Sequence, residues 1–220
     1  MSEAMTVETI IEAYWQMQQG FWTRLRFPLR TKNWSDIDVL AYNPVSHILV
    51  IAESKVGGNK KSLYVYTEES HKKYEDILEW DHGDYFGFLS HIKLACKDGT
   101  IFDNFEKMVK KLIVQVVSNY VILDNVKRDA QEVIKKKIRG DVPTKVELEI
   151  MLDSTLDVIS HIITSENKSS QGRRYGHPVI DIARELNRYM RPKLRYAGKN
   201  KTAIEKELKK TLLKALDITG

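Results

Sequence analysis

The residue types and spacing best suited to chemistry in this sequence are those of Asp38, Glu53 and Lys55. Asp38 sits in the run Ser35-Asp36-Ile37-Asp38-Val39-Leu40-Ala41-Tyr42, and the other two close the run Val50-Ile51-Ala52-Glu53-Ser54-Lys55. Two carboxylates converging from neighbouring strands at the edge of a core make a hard, oxygen-rich pocket suited to Mg²⁺ or Mn²⁺. A lysine two residues beyond the second carboxylate shares its strand face. A cation so held can polarise a phosphoryl oxygen, lower the pKa of water and stabilise a leaving group, while the lysine orients the nucleophile or neutralises developing charge. Asp36 shares a face with Asp38 and is the alternative ligand.

These side chains need a hairpin to bring them together. Asp36 to Tyr42 and His47 to Lys55 are rich in Ile, Val and Leu with Asn43-Pro44 between them, which predicts two well-buried strands joined by a turn. Ahead of them Val7, Ile10, Ile11, Tyr14 and Gln18 follow one helical face, predicting a helix over 6–19 ended by Gly20, with Glu8 and Glu12 on one side beside its apolar stripe. From Phe21 to Leu29 the pattern alternates, with Phe21, Leu25, Phe27 and Leu29 on one side and Arg24 and Arg26 on the other; Pro28 puts this strand near a sheet edge. Phe102, Phe105, Val109 and Leu112 suggest a helix. A buried strand is expected within Ile113 to Leu123, a helix over about Arg128 to Arg139 closed by Gly140, an alternating strand from Lys145 to Leu152, and a helix marked by Leu156, Ile159 and Ile163. Ser165 to Gly176 is polar and reads as a linker. Beyond it, one helix is marked by Val179, Ile182, Ala183, Leu186 and Met190, and a second by Ile204, Leu208, Leu212 and Ala215.

A glutamate-bearing helix, then Phe21-Trp22, then the Asp38 strand, a turn and Glu53-Ser54-Lys55 together resemble the PD-(D/E)XK, or restriction-endonuclease-like, nuclease superfamily over roughly residues 6 to 56. Ile37 stands where the motif's name has proline. The resemblance implies an α/β fold with a mixed central sheet flanked by helices, metal ligation by Asp38 and Glu53, assistance to the attacking water by Lys55, and completion of the site by a helix glutamate, Glu8 ahead of Glu12. It implies Mg²⁺- or Mn²⁺-dependent hydrolysis of phosphodiester bonds, with DNA expected ahead of RNA. The rival expectations are a non-catalytic nucleic-acid- or protein-binding module of the same fold and a nuclease subunit that works only with a targeting partner. A homodimer would suit paired cuts in a duplex.

Composition narrows the alternatives. With 220 residues, 42% of them hydrophobic, the chain can build one sizeable core, expected over 1–167, and an accessory segment over 168–220. Cys96 is the only cysteine, which excludes an intrachain disulfide and multi-cysteine metal sites. Gly57-Gly58-Asn59-Lys60-Lys61 lacks Walker A spacing, the six histidines show no metal-pair spacing, and Gln171 and Tyr175 lie too far downstream to join the motif. No secretory start or long apolar run is present, so a cytoplasmic location is expected, with no membrane partner. From Lys168 onward 14 Lys and Arg face 5 Asp and Glu, whereas the preceding residues are mildly acidic overall. A basic helical extension on an acidic body fits a polyanionic partner, with Arg173, Arg174, Arg188, Arg191, Lys193 and Arg195 as candidate phosphate contacts. Such contacts would hold the backbone without reading sequence.

Overall fold

The computed structural model describes residues 3–29, 35–55, 92–96, 100–103, 105, 108–118, 124–169, 177–186 and 206–211. These form an α/β architecture around a five-stranded mixed sheet, in the order β1 (Trp22–Leu29), β2 (Ser35–Asn43), β3 (Ile48–Lys55), β4 (Lys111–Ser118) and β5 (Glu147–Ser154). The first three strands are an antiparallel meander, and β4 and β5 run parallel to β3. Helix α1 (Glu3–Met17) precedes the sheet, α2 (Asp124–Arg139) crosses from β4 to β5, and α3 (Thr155–Ser169) follows β5. Among the described residues no helix is long and apolar enough to cross a membrane.

The sheet separates two buried layers. On one side α1 and α3 bring Val7, Ile10, Ile11, Trp15, Val158 and Ile162 onto Val39, Ala41, Val50, Ala52 and Ile113. On the other, Ala130, Ile134 and Ile138 of α2, with Cys96, Ile101 and Phe102, cover Leu49, Ile51, Leu112, Val114 and Ile150. Burial of both faces explains why β4 is a nearly unbroken apolar run, whereas β5 alternates buried Leu148, Ile150 and Leu152 with more accessible Glu147, Glu149 and Met151.

Local chemistry sets the boundaries. After α1 the chain turns at Gly20, whose φ of 84° suits glycine and where a Cβ would stand 3.0 Å from Asn43 Nδ2. Asn43 also closes the hairpin: its Oδ1 accepts from Val45 N and Ser46 N, and its Nδ2 donates to Gln19 O, tying the α1–β1 turn to the β2–β3 turn. Ser154 and Asp157 cap α3, the Ser154 hydroxyl accepting from Asp157 N while Asp157 Oδ2 accepts from Ser154 N.

The predicted hairpin, α2, β5 and α3 are present with shifted ends, and α3 runs through Ser169, into the segment expected as a linker. Other expectations need correction. Of the helix expected from Phe102 to Leu112, the described residues show the single turn Thr100–Asp103, and further on Lys110 N and Lys111 N bond to His47 O and draw the chain into the sheet, placing Leu112 in β4. On the C-terminal helical stretch 178–186, Ile180 and Ala183 are buried while Ile182 and Leu186 face solvent. The apolar side expected for β1 is also divided: Phe21 joins the α1 layer, Phe27 and Leu29 the α2 layer, and Leu25 is exposed.

Candidate active site

The division in β1 arises at Arg26, and it shapes the site. The β1–β2 register pairs Leu25 with Val39 and Phe27 with Ile37, but leaves out the pair between them, Arg26 and Asp38. Arg26 has φ 48°, the left-handed region a non-glycine residue seldom occupies. On β2 the alternation switches at the same level, since Ile37 lies in the α2 layer and Val39 in the α1 layer. The β2–β3 ladder likewise runs only as far as Val39 and Ala52. Beyond it the Asp38 carboxylate takes over as acceptor: its Oδ2 receives Ser54 N and Ser54 Oγ, both at 2.7 Å.

This end of the sheet is where the parallel strands finish, with Lys55, Ser118 and Ser154 level in register. Crevices at the carboxyl ends of parallel strands are the usual ligand sites of α/β sheets. Because β2 runs the other way, its beginning, with Asp36 and Asp38, comes to the same end. Glu53 lies there too, 1% exposed, and by alternation falls on the Ile51 side, while Ser54 falls on the Ala52 side with the Asp38 carboxylate. Lys55 is the last residue of β3.

From the first turns of α1, Glu8 enters the same region and is 3% exposed. Arg26 grips it with both arms of the guanidinium, Nε to Oε2 at 3.1 Å and Nη2 to Oε1 at 3.0 Å, and reaches Asp36 Oδ2 at 3.9 Å through Nη1. Burial pushes the Glu8 carboxyl above its usual range, the negative charge of Asp38 and to a lesser degree Asp36 adds to this, and the bonds and charge of Arg26 offset part of it. Glu12, one turn later, turns elsewhere: it accepts from Thr23 Oγ1 at 3.1 Å and lies 3.7 Å from His177 Nε2. The structure therefore groups Glu8, not Glu12, with Asp36 and Asp38.

A polar network that starts from the buried Trp15 and Gln115 crosses the α1 side of the sheet. Trp15 Nε1 donates to Gln115 Oε1 at 2.8 Å, Gln115 Nε2 donates to Asp153 Oδ2 at 3.0 Å, and Lys127 Nζ pairs with Asp153 Oδ1 at 3.1 Å. These bonds tie α1 to β4, β4 to β5 and β5 to α2, which suits a role in holding α1 and β5 in place.

Glu8, Asp36 and Asp38 form one electrostatic group, with Glu53 and Lys55 following on the adjacent strand. Their oxygens are the hard donors that Mg²⁺ or Mn²⁺ prefers. Among the described residues, no three Asp, Glu, His or Cys side chains are gathered closely enough to hold a metal as they stand. Arg26 and Ser54 were not singled out by sequence reasoning. The signal for Arg26 was an arginine on a strand predicted to lie beside the Asp36-Asp38 strand; for Ser54 there was none beyond its place inside Glu53-Ser54-Lys55.

Arg173, Arg174, Arg188, Arg191, Lys193 and Arg195 lie outside the described residues, as do Gln171 and Tyr175. Lys209, from the basic segment, is directed inward: it pairs with Asp157 at 2.5 Å, and Leu208 packs against the α1 layer. No family model, no curated protein and no solved structure matches this chain.

Proposed function

We propose that the chain is a divalent-metal-dependent nuclease with a restriction-endonuclease-like fold, hydrolysing phosphodiester bonds in DNA. The observation that carries this reading is the meeting of Glu8 from α1 and Asp38 from β2 where β2 and β3 part, with Glu53 and Lys55 on the strand alongside. The order of elements, a helix, a three-stranded meander and a parallel fourth strand, is compatible with such a fold.

In this reading Asp38 and Glu53 would hold Mg²⁺ or Mn²⁺, with Glu53 having to reach round the end of β3 from the Ile51 side to meet Asp38, and Glu8 would support them. The cation supplies positive charge at the phosphoryl group and acidifies water. Ser54 orients the Asp38 carboxylate through its two hydrogen bonds, so that the ligand is set before substrate arrives. Lys55 places the attacking water and neutralises charge as the phosphorane-like state forms. The basic segment from Lys168 onward, including Arg173 and Arg174, draws in the polyanion.

One observation favours a second reading. Arg26 engages both oxygens of Glu8, as an ion pair that served only the fold would, and this suits a non-catalytic binding module. Incubating purified protein with supercoiled plasmid, linear duplex and single-stranded DNA in Mg²⁺, Mn²⁺ or EDTA decides between them. Metal-dependent cutting that disappears in Glu53→Ala and Lys55→Ala, with DNA binding retained by Lys55→Ala, is expected. DNA binding without cutting under any of these conditions would point instead to the binding module or to a subunit that cuts only with a targeting partner.

A further inference from the structure

Two hollows in the protein surface meet at Met108. The larger, of about 540 Å³, lies along the β1–β2 pair and is walled by Trp22, Phe27, Tyr42 and Phe105, with the exposed Arg24. The smaller, of about 260 Å³, is lined by His47, Lys110 and Lys145. Met108 borders both, and the Tyr42 hydroxyl of the first stands 3.4 Å from His47 Nδ1 of the second. We propose that the pair takes one nucleotide unit of single-stranded DNA, its base against the aromatic side chains of the larger hollow and its phosphate against the cations of the smaller. This contact goes beyond the nuclease reading and does not rest on it, since it needs neither a metal ion nor cleavage.

The larger hollow has the chemistry of a base platform. The Tyr42 and Phe105 rings, packed against the α2 layer, lie 4.3 Å apart at 40°. The Arg24 guanidinium stands 5.4 Å from the centre of the Phe27 ring and adds a flat cation to the wall. Trp22 is 74% exposed and Met108 49%, so an apolar lip faces water beside a floor that includes the buried Leu40. Every base offers a π face to such side chains, which gives affinity without reading sequence. A duplex stacks its base faces on one another, whereas a single strand presents them. Both hollows are open clefts, through which a strand can enter and leave; a free small ligand is usually held in a cavity that buries most of its surface.

The smaller hollow supplies the charge. His47 lies just before β3, Lys110 just before β4 and Lys145 just before β5, so it sits at the opposite ends of the parallel strands from Lys55, Ser118 and Ser154. Lys110 N donates to His47 O and Glu147 N to Lys110 O, each at 2.9 Å, which fixes the three segments side by side. Among the described residues neither Lys110 nor Lys145 has a carboxylate partner and no carboxylate lines either hollow, whereas the neighbouring Lys111 is held by Glu147 and Glu149. Two such lysines beside an aromatic cleft match a phosphate joined to a base.

Fluorescence anisotropy of a labelled oligodeoxythymidine with the full chain in EDTA tests the site apart from cleavage. Trp22→Ala is expected to weaken binding about fivefold or more. Trp22→Phe, which keeps a ring, and Leu25→Ala, on the same strand but outside the hollow, are expected to stay within about twofold of the wild type. Lys110→Gln/Lys145→Gln is expected to flatten the salt dependence by roughly 0.7 or more in log–log terms, and it carries the test should circular dichroism show Trp22→Ala unfolded. A blunt-ended duplex is expected to bind Trp22→Ala as it binds the wild type. Wild type that fails to bind the oligonucleotide, or folded Trp22→Ala that binds it unchanged, would overturn the site, as would a duplex weakened equally by Trp22→Ala. An unchanged salt slope in the lysine variant would separate the basic hollow from the base and overturn the pairing of the two. Displacement of the oligonucleotide by thymidine monophosphate at the same concentration would overturn the strand in favour of a free nucleotide. None of these readouts depends on whether Mg²⁺-dependent cutting is found.

Discussion

Asp38 is held by Ser54 twice over, its Oδ2 accepting the backbone N–H and the hydroxyl of that residue at 2.7 Å each. Hydrogen bonds to an ionised acceptor are the stronger kind, so the carboxylate is fixed where the β2–β3 ladder has already ended. Ser54→Ala removes one bond and keeps the other. The expected result is a loss of roughly 1–2 kcal/mol in urea unfolding, with DNA cleavage falling further than stability requires because Asp38 regains rotational freedom. Full activity in a folded Ser54→Ala protein would show that the hydroxyl does not position Asp38.

Gln115 is fully buried and satisfies both Trp15 and Asp153. Gln115→Leu nearly conserves volume but strands the indole N–H of Trp15 among apolar side chains. An unpartnered buried donor costs about 1–3 kcal/mol, so the midpoint of urea unfolding should fall accordingly, with a change in Trp15 fluorescence. Trp15→Phe should cost less in the Gln115→Leu background than in the wild type, since the orphaned donor then goes with the indole.

Asp157 links α3 to the chain's C-terminal helical residues 206–211 through Lys209. Burial alone would push its carboxyl up, but hydrogen bonds from Lys209 and Ser154 together with the Lys209 charge outweigh this and hold it below 3.8. A depressed folded-state value means stabilisation that is complete above the unfolded carboxylate pKa and fades as the pH falls through the folded one. Lys209→Met should therefore lower stability by roughly 1 kcal/mol at pH 7, with the gap to wild type closing on the acid side of 3.8. Thermal melts across pH 3 to 7, at about one-unit steps through that window, check it; a constant gap would mean that packing of Leu208, not the ion pair, is what Lys209→Met disturbs.

Removing charge at Arg173 and Arg174 should weaken DNA binding at low salt and flatten its salt dependence, by a slope of roughly 1 to 2 in log–log terms if both contact phosphate. Fluorescence anisotropy with a labelled duplex over a salt series measures this. An unchanged slope would place those arginines away from the nucleic acid.

The hairpin and the residues it carries were legible in the sequence because apolar runs around Asn43-Pro44 admit little else. Two kinds of information were not. The first is a break in alternation: strict period-two reading put Phe21, Leu25, Phe27 and Leu29 together, but the left-handed Arg26 sends Phe27 and Leu29 to one layer and leaves Leu25 outside. Nothing in the spacing of an arginine announces a positive φ. The second is the competition between strand and helix at Val109 to Leu112, where a helical spacing of apolar residues lost to the backbone bonds offered by His47. Choosing Glu8 over Glu12 was open to sequence reasoning only as a matter of distance along the helix. The structure separates them by partners, Arg26 for one and Thr23 with His177 for the other.

The strands stand in the sheet in the order in which they occur in the chain. A ribosome releasing this protein therefore delivers each strand next to the edge it will occupy, and no later strand has to be inserted between two already paired. Two intervals interrupt this: after β3 is complete at Lys55 its outer edge waits for Lys111 to Ser118, and β4 in turn waits for Glu147 to Ser154, the first wait being the longer. The edge of β3 ends at Lys55 beside the candidate site, so until β4 is made the growing chain carries an apolar strand edge and the candidate-site carboxylates side by side.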